Sequence, residues 1–333
     1  MSGPSRISLA HLPTPLEPAP RLSGRLKGID VWIKRDDCTG LAFGGNKARK
    51  LEYLMASART AEADTVVTFG GVQSNHVRSC AAAGRRLGLD SHLLLAGAAP
   101  RSETGNLMLD RLLGAEVEFL ELSLPELTAE RVARAYGEAE ERLRSRGRKP
   151  FRIAPGGSTG LGCLGYRAAF DEILEQARSA GIDVTHIITA YGTGGTLAGL
   201  ILANILAGRP AIVTGISVAP PGMPGSLGVP TVESMIEEAA GHLGRRISIR
   251  PGDVRILYEH AGRAYGSPTA ESIEAIRTLA RTEGLFLDPV YTSKAMAGLL
   301  SLCQQGEVKA GESVIFLHTG GTPALFAYAE ALA

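Results

Sequence analysis

Along the chain, short apolar runs alternate with longer stretches whose apolar residues recur every three or four positions. The short runs are DVWIK (30–34), DTVVTFG (64–70), SHLLLAG (91–97), AEVEFLE (115–121), FRIAP (151–155), THIITAY (185–191), AIVTGISV (211–218) and SVIFLHTG (313–320). Runs this short, rich in β-branched residues and bounded by glycine, proline or charge, read as buried strands. Helix-length amphipathic segments lie between most of them: 46–61, 75–88, 104–113, 126–146, 163–180, 194–207, 231–243, 269–283 and 293–304. This alternation predicts an α/β fold of open, twisted, mostly parallel sheets flanked by helices. Strand candidates from 64 to 155 suffice for a small α/β domain inserted in a larger one. The expected boundaries are 1–55 with 165–333 for the discontinuous larger domain and 56–164 for the insert. The Pro/Gly-rich stretch APPGMPGSLGVP (219–230) reads as a surface crossing rather than as part of a mobile lid.

Composition narrows the function classes. With 333 residues the chain suits two domains or one large α/β unit. A net charge of +1 offers no concentrated basic face, so neither nucleic acid nor an anionic membrane is an expected partner. No segment has 18 uninterrupted apolar residues, and the N-terminal MSGPSRISLAHLPTPLEP lacks the apolar stretch of a signal peptide. Cys38, Cys80, Cys163 and Cys303 form no C-x-x-C pair, so the expectation is reduced thiols, no metal site and a cytoplasmic location.

Ligands of open α/β sheets bind at the carboxyl ends of strands. The loops there carry Gly70–His76, Gly192–Thr196, Asp288–Thr292 and His318–Thr322. The GTGGT loop (192–196) opens a helix, so its glycines, hydroxyls and end dipole suit a phosphate. Taken singly it could also be a plain tight turn. It is not a Walker loop. Nor is it a dinucleotide fingerprint: its sixth position is Leu197, and the residues about 20 further on, near Ile212 to Ile216, offer no acid for a ribose. Taken singly, Ser74 and Asn75 read as helix caps, and His76 as an ordinary packed histidine. Lys47 alone, beside Arg49 and Lys50, reads as a surface lysine. Behind Gly44-Gly45-Asn46 at a helix start, it is an anion clamp or a covalent amine. The set as a whole fits pyridoxal 5′-phosphate, which needs an amine, a phosphate cradle, a partner for its pyridine nitrogen and donors for a substrate carboxylate.

These residues also resemble a known family. PTPLEP (14–19), IKRDDCTGLAFGGNKARKLEYL (33–54), GGVQSNHVR (70–78), GTGGTLAGL (192–200), AYGSPTAESIEAIR (264–277), GLFLDPVYTSKAMAGL (284–299) and HTGGTPALFAY (318–328) are similar to fold-type II pyridoxal-phosphate enzymes. Within them the chain resembles the group of D-cysteine desulfhydrase, L-cysteate sulfo-lyase and 1-aminocyclopropane-1-carboxylate (ACC) deaminase. The resemblance implies that Lys47 holds the cofactor covalently and moves a proton at the substrate α-carbon. It implies that Ser74, Asn75 and His76 receive the substrate carboxylate, with Ser74 also in proton transfer and Asn75 on the cofactor phenolic oxygen. Thr193, Gly194, Gly195 and Thr196 would hold the phosphate. Tyr265 and Tyr291 would line the substrate pocket, Tyr291 taking part in catalysis. Thr292 and Thr319 would stand at the pyridine nitrogen.

ACC deaminases of this family have Glu, Leu and Gln where this chain has Thr292, Thr319 and His76. A threonine hydroxyl supports a milder electron sink than a carboxylate, adequate for β-elimination of a good leaving group. The expected activity is therefore β-elimination from a small cysteine-like amino acid, D-cysteine first and L-cysteate as the alternative, with Arg78 a candidate cation for a sulfonate. ACC deamination, racemisation or dehydration, and non-catalytic cofactor binding are the remaining readings. A homodimer is the expected assembly.

Overall fold

The apolar runs pair into two sheets. The computed structural model describes residues 3–123 and 126–332. One sheet has six strands in the order β1-β2-β10-β7-β8-β9, the other four in the order β5-β4-β3-β6. The six are β1 (Leu16–Pro18), β2 (Asp30–Lys34), β7 (Val184–Tyr191), β8 (Ile212–Ser217), β9 (Arg255–Leu257) and β10 (Ser313–Leu317). The four are β3 (Thr65–Gly71), β4 (Asp90–Ala96), β5 (Glu116–Phe119) and β6 (Pro150–Ile153). Every pairing is parallel except β1 with β2.

Helices of eight residues or more are, in chain order, α1 (Lys47–Thr60), α2 (Asn75–Arg86), α3 (Gly105–Leu112), α4 (Ala129–Ser145), α5 (Gly160–Ala180), α6 (Gly195–Leu206), α7 (Val232–His242), α8 (Ala270–Glu283) and α9 (Thr292–Gln304). Strand periodicity distributes the core. Ile187 and Ile315 pack with Phe170, Leu197 and Ile201 on one face of the larger sheet. Their neighbours Ile188 and Phe316 pack with Ile216, Met296 and Leu299 on the other. Side chains alternate faces along a strand, so a continuous apolar run serves two helix layers at once.

The elements match the sequence pattern closely, with departures that have local causes. β1 and β9 carry no apolar run. Each sits at a sheet edge and exists through pairing with its neighbour. α5 starts at Gly160 rather than 163, because the Thr159 side chain accepts the Gly162 N–H and caps it there. The 219–230 stretch is more than a surface crossing: it holds a short helical turn, Met223–Ser226, and its Met223 and Leu227 line the central cavity. All strands of the smaller sheet fall between 65 and 153. The expected boundaries at 55/56 and 164/165 fall inside α1 and α5. We propose that the division into two units holds, with these helices bridging them.

A buried ion network fastens α1. Arg49 donates to both Asp36 oxygens at 2.8 Å and to both Glu172 oxygens at 2.9 Å, and Lys34 donates to the same Glu172. Asp36 is fully buried. The network ties β2, α1 and α5 together two residues beyond Lys47. No described helix is long and apolar enough to cross a membrane.

Candidate active site

Lys47 is the first residue of α1. Its position depends on Gly44 (φ +65°) and Gly45 (φ +113°), both in the left-handed region. A Cβ on Gly44 would lie 2.0 Å from the Asp37 carbonyl oxygen, so only glycine fits. The Gly45 N–H donates to Asp36 O and the Asn46 N–H to Thr319 O, each at 3.0 Å. The turn is thus pinned between β2 and the loop after β10. Lys47 Nζ donates to Asn46 Oδ1 at 3.0 Å, and Asn46 Nδ2 donates to Thr196 Oγ1 at 2.9 Å. Burial drives the Lys47 pKa well below its ordinary value, and the Lys50 ammonium one helical turn away lowers it further. Both effects favour the free, nucleophilic amine.

The GTGGT loop lies at the N-terminus of α6 and lines the cavity. Gly194, with φ +87°, caps α6. Thr193 Oγ1 and Ser158 Oγ lie 2.7 Å apart, and the Gly195 N–H donates to Ser158 Oγ at 3.2 Å. Lys50 Nζ donates to Gly156 O at 3.2 Å and reaches Ser158 Oγ at 3.4 Å. Its burial lowers its pKa to about 8. A Cβ on Gly156 would fall 2.0 Å from Thr193 Oγ1. Amides, hydroxyls and a cation therefore converge as a phosphate requires. Lys50, Gly156 and Ser158 were absent from the sequence-derived set. Lys50 had a legible signal, because it lies three residues after Lys47 on the same helix face. Gly156 and Ser158 had none, since they arrive from the segment after β6.

Opposite the cup, the β3–α2 loop presents Ser74, Asn75 and His76 to the cavity. Ser74 caps α2 by accepting the Val77 N–H. Asn75 Oδ1 accepts from Asn106 Nδ2 at 3.0 Å, which fixes the orientation of its amide. The His76 ring turns inward. Thr68 donates its hydroxyl proton to Ile153 O, so it accepts from His76 Nε2 at 2.8 Å. Burial lowers the His76 pKa well below the ordinary value, so the ring stays neutral. His76 offers backbone, not charge.

Tyr265 and Tyr291 have their hydroxyls 2.5 Å apart and their rings edge to face. Burial raises both phenol pKa values, so both remain proton donors. Lys47 Nζ lies 5.9 Å from the centre of the Tyr291 ring. Thr319 lines the cavity. The preceding His318 accepts the Gly320 N–H at Nδ1, and its Nε2 donates to Phe286 O, which steadies that loop. Thr292 does not line the cavity. Its hydroxyl donates to Asp288 Oδ1 and accepts the Asp288 N–H, both at 2.7 Å.

One cavity of about 380 Å³ thus gathers Lys47, Ser74, Asn75, His76, Thr193, Gly194, Thr196, Tyr265, Tyr291 and Thr319. Gly195 underlies the cup, Thr292 stands behind the wall, and Arg78 is fully buried away from it. Among the described residues no aspartate or glutamate lines this cavity. A depressed lysine amine facing an anion cradle in two open parallel sheets defines a pyridoxal-phosphate enzyme of fold type II.

Comparison with known proteins agrees. The family model described as pyridoxal-phosphate dependent enzyme matches residues 7–320, and the chain belongs to that family. It is 39% identical over 329 residues to the D-cysteine desulfhydrase of Klebsiella pneumoniae, covering 97% of this chain and 96% of that one. It is 37% identical over 335 residues to the 1-aminocyclopropane-1-carboxylate deaminase of Methylobacterium sp., covering 98% and 97%. The crystal structure of an ACC deaminase homologue superposes with a TM-score of 0.87 at 38% identity, covering 99% of this chain and 95% of that one.

Proposed function

We propose that this protein is a β-eliminating lyase that converts D-cysteine and water to pyruvate, hydrogen sulfide and ammonia. The observation that carries the reading is the cavity wall without a carboxylate among the described residues. With Thr319 at the wall and Thr292 bonded to Asp288, no carboxylate among the described residues lines the cavity to hold a proton on a pyridine nitrogen. That suits loss of a thiolate better than opening of a cyclopropane ring. Bound pyridoxal phosphate supplies the electron sink for the pair left at the α-carbon. The chain supplies the rest. The free Lys47 amine takes the α-proton. The Ser74–His76 segment, at the α2 N-terminus, holds the substrate carboxylate through backbone N–H groups. Tyr291, with its phenol kept protonated, donates to the departing sulfur. Lys50 and the 193–196 loop hold the phosphate.

The alternative substrate L-cysteate would need a cation at the β-carbon. Arg78 does not reach the cavity, which argues against it. We also retain the homodimer in this reading; the exposed Phe43, Phe286 and Phe326 give such an interface apolar surface, and sedimentation tests it. The deciding experiment is a side-by-side assay of the purified protein with D-cysteine, L-cysteine, L-cysteate and ACC. Pyruvate should come from D-cysteine, with little or no 2-oxobutyrate from ACC. Robust ACC deamination without elimination from any sulfur substrate would sink the reading.

A further inference from the structure

Behind the carboxylate-binding loop, α2 and α3 face each other along a polar seam. Asn75 and Arg78 lie one turn apart on α2, and Asn106 and Asp110 one turn apart on α3. The first rung is direct: Asn106 Nδ2 donates to Asn75 Oδ1 at 3.0 Å. The second rung is not. Arg78 Nε and Nη1, Asp110 Oδ1 and Oδ2, and Asn106 Oδ1 are all buried without a protein hydrogen-bond partner. Arg78 is 0% exposed and Asp110 1%. Arg78 makes one hydrogen bond to the protein, from Nη2 to Gly44 O at 3.2 Å. Gly44 is the left-handed glycine that starts the Lys47 turn.

Isolated buried charges are costly, and buried polar atoms of this kind are satisfied by ordered water. A guanidinium fork can hold a carbonyl with one nitrogen and water with the others. We propose that Arg78 is a positioning residue of the Lys47 turn, oriented from behind by Asp110 through buried water. The arrangement links α3, at the back of the substrate loop, to the backbone that places the reactive amine. It also adds a cation beside Lys47, and that cation contributes to the depressed amine pKa. Burial raises the Asp110 carboxyl to about 8 even against the lowering pull of Arg78. This inference rests on Lys47 being the cofactor lysine.

The test uses holoenzyme and four variants: Arg78→Lys, Arg78→Met, Asp110→Leu and Lys47→Ala. In the folded enzyme, Arg78→Met should raise the midpoint of the cofactor absorbance against pH by roughly a few tenths of a unit, because a nearby cation is lost. Arg78→Lys keeps the charge and loses the fork. Its midpoint should stay near wild type while kcat falls roughly tenfold at unchanged KM. Asp110→Leu should lower kcat in the same manner, although Asp110 does not line the cavity. A high-resolution crystal structure of the holoenzyme should show water bonded to both Arg78 and Asp110. A merely structural role would lower the melting temperature and leave midpoint and kcat unchanged; that result, or a dry gap between the two side chains, overturns the proposal. If Lys47→Ala keeps a borohydride-reducible chromophore, the assignment of Lys47 itself fails, whatever the Arg78 variants do.

Discussion

Lys47 and Lys50 are one helical turn apart, and burial lowers the pKa of both. Their tasks differ because their surroundings differ. Lys47 opens on the cavity beside Asn46 and Tyr291, whereas Lys50 is shut beneath the cup with Gly156 and Ser158. Lys50→Met should therefore keep a cofactor chromophore on Lys47 and weaken cofactor retention. The loss of one charge-assisted hydrogen bond predicts a roughly 10- to 100-fold higher dissociation constant, measured by titrating apoprotein. A Lys50→Met protein with wild-type cofactor affinity would contradict the phosphate role. Cofactor capture by Lys47 should also depend on pH with a definite sign. The amine pKa is lowered, so capture stays fast at neutral pH and slows as acid protonates the amine below that lowered value. Stopped-flow absorbance on the apoprotein would show it; a slowing that begins near the ordinary lysine range would refute the depressed amine. Lys47 was legible in the sequence because glycines, asparagine and a helix start stand next to it in the chain. Ser158 was not, because no local pattern marks a hydroxyl that meets Thr193 across 35 residues of chain.

Among the elements, α5 and α6 cross closely enough to exclude a side chain. A Cβ on Gly199 would lie 2.2 Å from Cys163 O and 2.6 Å from Tyr166 Cβ. Gly199→Ala should therefore destabilise the protein by about 1–3 kcal/mol despite the better helix propensity of alanine. Urea unfolding is the measurement, and a stabilised variant would show that the crossing has slack. The consequence reaches function, because α6 begins at the phosphate cup. The apolar run 194–207 placed α6 correctly. It could not weigh Gly199, since an interior glycine looks like a weak point until the partner helix is known. The edge strands β1 and β9 escaped for a related reason: three residues with no apolar run become strand only when a neighbour offers its hydrogen bonds.

At the scale of the whole molecule, the ion network of Lys34, Asp36, Arg49 and Glu172 holds β2, α1 and α5 in one register. Burial opposes the charge on Asp36, yet Arg49, Tyr166 and Thr14 together hold its pKa below the usual value. Glu172 is likewise opposed by burial and held low by Arg49 and Lys34. A depressed carboxylate stabilises the fold above the ordinary carboxylate range, and that contribution is lost as pH falls through the depressed values. Removing one partner from such a pair leaves an uncompensated buried charge, so Asp36→Asn should cost about 3–5 kcal/mol. Denaturant midpoints at neutral pH and in acid check both the loss and its sign. A wild-type and an Asp36→Asn protein of equal stability at neutral pH would refute the role of the network.

By itself the sequence determined the α/β class, nearly all long elements, the Lys47 turn, the glycine–threonine loop that opens α6 and the cofactor. Each of these is written in contiguous residues, through hydrophobic period or through loop chemistry between a strand and a helix. The tertiary structure decided what depends on residues distant in the chain. It showed that His76 turns its ring into the core, that Thr292 is bonded to Asp288 while Thr319 meets the cavity, and that Lys50 reaches Ser158 beside the 193–196 loop. It also kept Arg78 out of the cavity wall and turned it toward the Gly44 carbonyl. Side-chain direction follows from packing against other elements, and burial sets whether a group is charged; neither quantity exists until the chain has folded.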